Sequence, residues 1–219
     1  MKQPAREQGD VAQAIGRSAE DTRPLIVGIG GGARNGSSTE RAMALTLAAV
    51  EALGARTELF GGQQLYQLPL YDNSHSVRTP EEERLLAAVR RADGFVVGTP
   101  AYHGGVAGVV KNALDLLEDT ARDARPYLEG RAVGLIVTAY GWQATGVTLT
   151  SMRSIIHALR GWPTPVALTL NATGGLFDET GRFKDARCDE TVKLMAGQIM
   201  HFAAAGRPVE RATALENAG

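Results

Sequence analysis

Short apolar runs recur along the chain, and between them lie stretches whose apolar residues fall three and four apart. The first run, residues 25–29, is continuous rather than alternating, which predicts a strand covered on both faces. A helix is expected over 39–53, with Met43, Leu45, Leu47 and Val50 on a broad apolar face and Gly54 placed to end it. A second strand at 55–60 leads into a loop with Gly61, Gly62, Pro69 and Asp72. The next helix carries its own start signals. Thr79 can cap it, Pro80 takes the first helical position, and Glu81, Glu82 and Glu83 complement the positive end of its dipole. Leu85, Val89 and Ala92 then repeat at helical spacing until Gly94. Strand three is expected at 95–98, with a loop over 99–105 and a helix over 106–118. Strand four, 132–139, is followed by a loop at 140–146 and a helix bearing Leu149, Met152, Ile156 and Leu159. Strand five, 166–170, precedes an irregular stretch around 174–182. The last helix places Cys188, Val192, Met195, Ile199 and Phe202 on one stripe, closed by Gly206.

Five strands alternating with five helices predict an α/β domain over 24–206, a parallel sheet wrapped on both sides. A polar tail at 1–23 and a C-terminal tail at 207–219 flank it, and no internal repeat interrupts it. Right-handed crossovers leave a crevice at the strand C-termini, where the winding direction changes. The loops after strands one, three and four meet at that crevice, and these three have unusual chemistry.

Composition narrows the class of function. Of 219 residues, 44% are hydrophobic and 21% charged, so one substantial soluble core is expected. A formal net charge of -1 gives no electrostatic reason to expect nucleic acid or an anionic membrane as partner. With no bilayer-length apolar run and no apolar signal core, the expected compartment is the cytoplasm. Cys188 is the single cysteine, which excludes an intrachain disulfide and a cysteine-based metal cluster. Its place on a helical stripe reads as a small buried residue.

The first loop, Gly30-Gly31-Gly32-Ala33-Arg34-Asn35-Gly36-Ser37-Ser38-Thr39, has the composition of a phosphate site. Glycines allow close backbone approach to a ligand, the free amides of the helix start point at it, and Arg34, Ser37, Ser38 and Thr39 add donors. Ser37 and Glu40 also have capping-box spacing, so the serine can equally be a structural cap. A rival reading lies in Gly28-Ile29-Gly30-Gly31-Gly32-Ala33, which satisfies the dinucleotide pattern G-x-G-x-x-A. It lacks an acidic residue about 20 positions on at a strand end. No nucleotide-triphosphatase phosphate loop is present.

With the loops in place, the chain resembles the NAD(P)H-dependent FMN reductase family. Gly31 to Thr39 is similar to its first motif, G-S-x-R-x-x-S-x-[NT], and Thr99 to Asp115 to its second, T-P-E-Y-N-G-x-x-P/S-G-x-L-K-N-A-[IL]-D. Ala101, His103 and Gly105 depart from the commonest residues, and Trp142-Gln143-Ala144 stands where a double glycine is frequent. The resemblance implies a flavodoxin-like three-layer sandwich with strand order 2-1-3-4-5. It further implies FMN with NADPH or NADH as cofactors, Gly32, Arg34, Ser37, Ser38 and Thr39 at the phosphate, and Pro100, Ala101, Tyr102, His103 and Gly104 along the ring. Tyr140, Gly141 and Trp142 would make the third contact. Hydride would pass from the nicotinamide to FMN and on to free flavin, a quinone or another small acceptor, with no side-chain acid or base required.

Two other classes compete. A flavodoxin-like electron carrier would be expected to be strongly acidic for docking, which a charge of -1 is not. A specialised biosynthetic flavoenzyme would use the same site on another substrate. Lys111, Asn112 and Asp115 read as packing and capping residues, while Arg122, Arg125 and Arg131 form a basic group that could meet a 2′-phosphate or simply be solvated. The apolar first helix and the aromatic third loop predict a homodimer or homotetramer.

Overall fold

A computed structural model describes residues 22–32, 34–75 and 77–205. The tails over 1–21 and 206–219, and with them the helix stop expected at Gly206, lie outside the described residues.

The strands are β1 (Leu25–Gly30), β2 (Arg56–Phe60), β3 (Gly94–Tyr102), β4 (Gly105–Val106), β5 (Ala132–Ala139), β6 (Trp162–Pro163) and β7 (Leu168–Asn171). The helices are α1 (Ser38–Ala52), α2 (Gly62–Tyr66), α3 (Pro80–Arg91), α4 (Gly108–Asp115), α5 (Trp142–Ala158) and α6 (Ala186–Ala205), with a 3-10 turn at Leu116–Thr120. Parallel pairing runs β2-β1-β3-β5, with β6 and β7 both on the far side of β5. The expected order therefore holds, with its fifth position shared by two short strands.

The central strands are apolar without alternation because both faces are covered, and every residue of β1 and β5 is buried. One core layer joins Val27, Phe95, Val97, Leu85, Val89 and Leu114, and the opposite layer joins Ile26, Met43, Val50, Val96, Ile136 and Ile199. Each such fully buried side chain contributes roughly 1.5–3 kcal/mol of transfer free energy. Helix α3 starts as its sequence predicts. Thr79 and Glu82 form a reciprocal capping box, with Pro80 in the first turn.

Four boundaries differ from expectation. Strand three continues to Tyr102 and turns through His103 (φ 52°) and Gly104 (φ 76°) into β4. Two successive positive φ values are the I′ pattern of a two-residue hairpin, so the helix expected from Val106 begins at Gly108 instead. A short helix, α2, occupies the expected loop after β2. The fifth strand splits because Pro163 and Pro165 lack amide hydrogens. From Val133 to Ile136 is three steps along β5, while their partners Pro163 and Leu168 are five apart, so the edge chain bulges by two residues. Cys188 is half-buried rather than buried, and burial with nearby Asp185 and Asp189 raises its thiol pKa.

The expected basic group also resolves differently. Arg131 is fully buried at the start of β5, stacked on Phe95 at 5.3 Å. It donates to the carbonyls of Val89 and Tyr127. Arg125 binds the carbonyls of Ala92, Glu129 and Gly130. Both arginines sit at the end of the sheet opposite the crevice and fasten loops, so neither is placed to meet a nicotinamide phosphate.

Candidate active site

The site is assembled by three strand ends. At the end of β1 the backbone passes through Gly30 (φ 149°) and Gly31 (φ 126°), and the Gly31 amide donates to the Gly98 carbonyl at 3.1 Å. A Cβ at Gly30 would sit 1.9 Å from that same oxygen, and one on Gly62 would sit 1.7 Å from the Gly32 carbonyl. These glycines therefore serve close packing of the first loop against β3 and α2. Gly32, the third of the run, lines the pocket described below.

Ser37 is the pivot of the loop. Its Oγ accepts from the Gly32 amide at 2.9 Å and from the Glu40 amide at 3.3 Å, which closes the loop and caps α1. The capping box is one-sided, since the Ser37 amide donates to Arg34 O. A hydroxyl accepts two bonds and donates one. With both acceptor directions used, what Ser37 still offers is its proton. Beside it the first amides of α1, those of Ser38 and Thr39, have no carbonyl within the helix to meet. Exposed Arg34 stands at the rim. Together they form a cluster of donors with the positive end of a helix dipole behind them, and an anion fits there.

The second loop is braced from below. Buried Thr99 donates through Oγ1 to Pro100 O at 2.9 Å and accepts from the Ala107 amide at 3.0 Å, tying the hairpin to the start of α4. Asn112 of α4 clamps residues 69–71, donating to Pro69 O and accepting from the Tyr71 amide, both at 2.8 Å. Lys111 pairs with Asp115 at 2.5 Å. Asn112 thus holds a loop, while Lys111 and Asp115 pair with each other along the helix.

Gly32, Arg34, Ser37, Ser38, Thr39, Pro100, Ala101, Tyr102 and Tyr140 line one pocket of about 120 Å³. Thr138, Ala139 and Ala172 complete it and were not foreseen. Thr138 closes an otherwise apolar run, and no periodicity distinguishes it. Adjoining is an open cleft of about 580 Å³ walled by Ala101 to Gly104, Tyr140, Gly141 and Val147. Its walls are mostly flat and apolar, suited to a planar ring, and Tyr102 lines both spaces. Trp142 is 65% exposed at the start of α5 and lines neither, so of the expected ring contacts it alone stands apart. Tyr140, at 84% exposed, projects from the crevice, its carbonyl held by Thr173 Oγ1 at 3.0 Å. Among the described residues, no group of three or more His, Cys, Asp or Glu could hold a metal ion.

A family model described as NADPH-dependent FMN reductase matches residues 24–174, which include all three loops. The chain belongs to this family. As an FMN reductase it is an oxidoreductase that uses FMN with NAD(P)H, and its fold is flavodoxin-like. A curated relative, the FMN-dependent NADPH-azoreductase of Staphylococcus haemolyticus, is 30% identical over 147 residues, covering 63% of this reductase and 74% of that protein. The FMN-dependent NADPH-azoreductase of Staphylococcus aureus is 30% identical over 113 residues, covering 51% of this chain and 56% of its own. Among solved structures, an oxidoreductase from Corynebacterium diphtheriae superposes with TM-score 0.65 at 22% identity, over 84% of this chain and 97% of that one. The flavoenzyme FerB from Paracoccus denitrificans gives TM-score 0.67 at 16% identity, over 84% and 98%. These two likenesses establish the fold. No helix among the described residues is long and apolar enough to cross a membrane.

Proposed function

We propose that this reductase takes its FMN across the two adjoining spaces, with the phosphate in the smaller pocket and the isoalloxazine ring in the open cleft. The observation that carries this reading is the donor set around Ser37. Two of its hydrogen-bonding capacities are consumed by the protein and the third, a proton, is left for an anion. Arg34, Ser37, Ser38 and Thr39 would take the phosphate, Pro100 to Gly104 would lie along the ring, and Tyr140 and Gly141 would approach it from the third loop. FMN held by these residues would supply two-electron redox chemistry between a nicotinamide and the acceptor. The side chains then orient and desolvate the reacting rings and move no proton themselves. His103 and Gly104 border the cleft, and the amides of such a turn would suit negative charge developing on a bound ring.

The electron acceptors proposed are free flavin, quinones or other small planar molecules, azo compounds among them, since two relatives are named azoreductases. The open, apolar cleft supports a flat acceptor. The protein is further proposed to work in the cytoplasm as a homodimer or homotetramer, which the exposed Tyr102, Tyr140, Trp142 and Val147 around the site support. Visible spectroscopy tests the central reading. After reconstitution the protein should show oxidised-flavin bands that NADPH bleaches without oxygen and an acceptor restores. A protein that takes up FAD or NAD but not FMN would overturn it.

A further inference from the structure

Thr138 lies near the C-terminal end of β5, in register with Pro100 of β3 on one side and Leu170 of β7 on the other. Its Oγ1 is 2.6 Å from Oγ1 of Thr39, in the first turn of α1. Both residues are almost inaccessible, at 5% and 1% exposed, and both line the small pocket. The bland account is a β-branched residue at home in a strand, whose hydroxyl happens to be satisfied.

Counting protons goes further. Each threonine hydroxyl carries one proton, and their shared bond uses one of the two. Among the described residues neither Oγ1 has a second partner, so one buried O–H donor is left over. Its surroundings are donors as well: the Ser38 and Thr39 amides, Arg34, and a Ser37 hydroxyl whose acceptor directions are already taken. A surplus donor among donors calls for an acceptor from outside the protein, and a phosphate oxygen has that chemistry.

We propose that Thr138 is a cofactor-positioning residue: through Thr39 it fixes which way a hydroxyl proton points and directs it to the phosphate of FMN. The proposal rests on the reading of the small pocket as the phosphate site. It also links the phosphate helix to the third loop, because Thr138 is near the end of β5 and that loop opens at Tyr140, two residues on.

The test uses Thr138→Val, which keeps the shape and deletes the hydroxyl, and Thr138→Ser, which keeps the hydroxyl. FMN affinity is measured by quenching of flavin fluorescence, and the phosphate environment by the phosphorus resonance of bound FMN. Thr138→Val should raise the FMN dissociation constant roughly 10-fold or more, the range for a hydrogen bond to a charged group, and displace the resonance. Thr138→Ser should restore both. Thr39→Val should reproduce the valine effect, and the double variant should lose no more than either single one. The Thr39→Val single variant, in which Thr138 is intact, carries the test if Thr138→Val does not fold. Unchanged affinity and resonance in the valine variants would overturn the proposal. So would a loss that serine does not repair, which would mark a packing role. Wild-type protein that fails to bind FMN would remove the phosphate reading itself, a result distinct from either.

Discussion

Ser37 is asked to be both a cap and a ligand, and two substitutions separate the roles. Alanine removes the acceptor for the Gly32 and Glu40 amides together with the proton available to phosphate. Losing the cap costs about 1 kcal/mol. The stranded Gly32 amide, in a buried residue, adds about 1–3 kcal/mol. For a chain of this size each kcal/mol lowers the melting temperature by about 2–4 °C, so Ser37→Ala without FMN should melt roughly 4–16 °C early. Losing a charged hydrogen bond should also weaken FMN roughly 10- to 150-fold. Ser37→Asp behaves differently. Aspartate is as good a cap as serine, so the flavin-free protein should melt within a few degrees of wild type. Its carboxylate, however, faces the phosphate. At about 4 Å and an effective dielectric constant near 20, repulsion is about 4 kcal/mol per unit of phosphate charge, or roughly 1000-fold in affinity. Differential scanning fluorimetry without flavin, paired with FMN titration, reads both axes. The reasoning fails if Ser37→Asp binds FMN better than Ser37→Ala, or if Ser37→Ala loses stability but keeps its FMN affinity.

The remaining expectations concern the two most contrasting arginines. Exposed Arg34 at the pocket rim should serve both FMN and the incoming nicotinamide, so Arg34→Ala should raise the Michaelis constant for NAD(P)H even at saturating FMN. An unchanged NAD(P)H dependence in steady-state kinetics would refute the shared role. Arg131 pays a desolvation cost that drives its guanidinium pKa down to about 10, equivalent to about 3 kcal/mol against the charged form. Arg131→Met relieves that cost and fills most of the space, but strands the Val89 and Tyr127 carbonyls at about 1–3 kcal/mol each. The melting temperature should therefore shift by only a few degrees, whereas Arg131→Ala adds a void and should melt far lower. Equal melting points for the two variants would contradict this balance.

The parts legible in the sequence are those where one physical signal dominates. Continuous apolar runs marked β1 and β5 because nothing but double-sided burial suits them. Thr79, Pro80 and Glu82 announced the start of α3 because capping is a local interaction. The hairpin at Tyr102–Gly105 was not legible, since it depends on His103 adopting a positive φ that its side chain does not advertise. Helix α2 is five residues long with Leu65 as its buried apolar anchor, too short for a period to register. At the site, the three loops could be named from their glycines, hydroxyls and aromatics, and the fold gathers them at one edge. What the glycines do, and that Thr138 reaches Thr39 across 99 positions, depends on contacts between distant segments. Arg131 shows the converse: a charge that composition assigns to the surface is buried because carbonyls at the end of α3 and in the loop before β5 receive it.

The two-residue bulge between β6 and β7 bears on how this molecule can meet another. An exposed sheet edge invites a neighbouring chain to add a strand, and the invitation requires several consecutive ladder positions. Here the outer edge offers two residues, then a break in register beside Pro163 and Pro165, then four more. The opposite edge, β2, presents Arg56 and Glu58, the latter engaged by Arg84 and Arg91. The outer edge cannot template a continuous ribbon, whereas β2 is an unbroken five-residue edge that only its charges protect. Growth by sheet extension, the open-ended route to fibres, needs both ends of the sheet, and the break at the β6–β7 end denies it one of them.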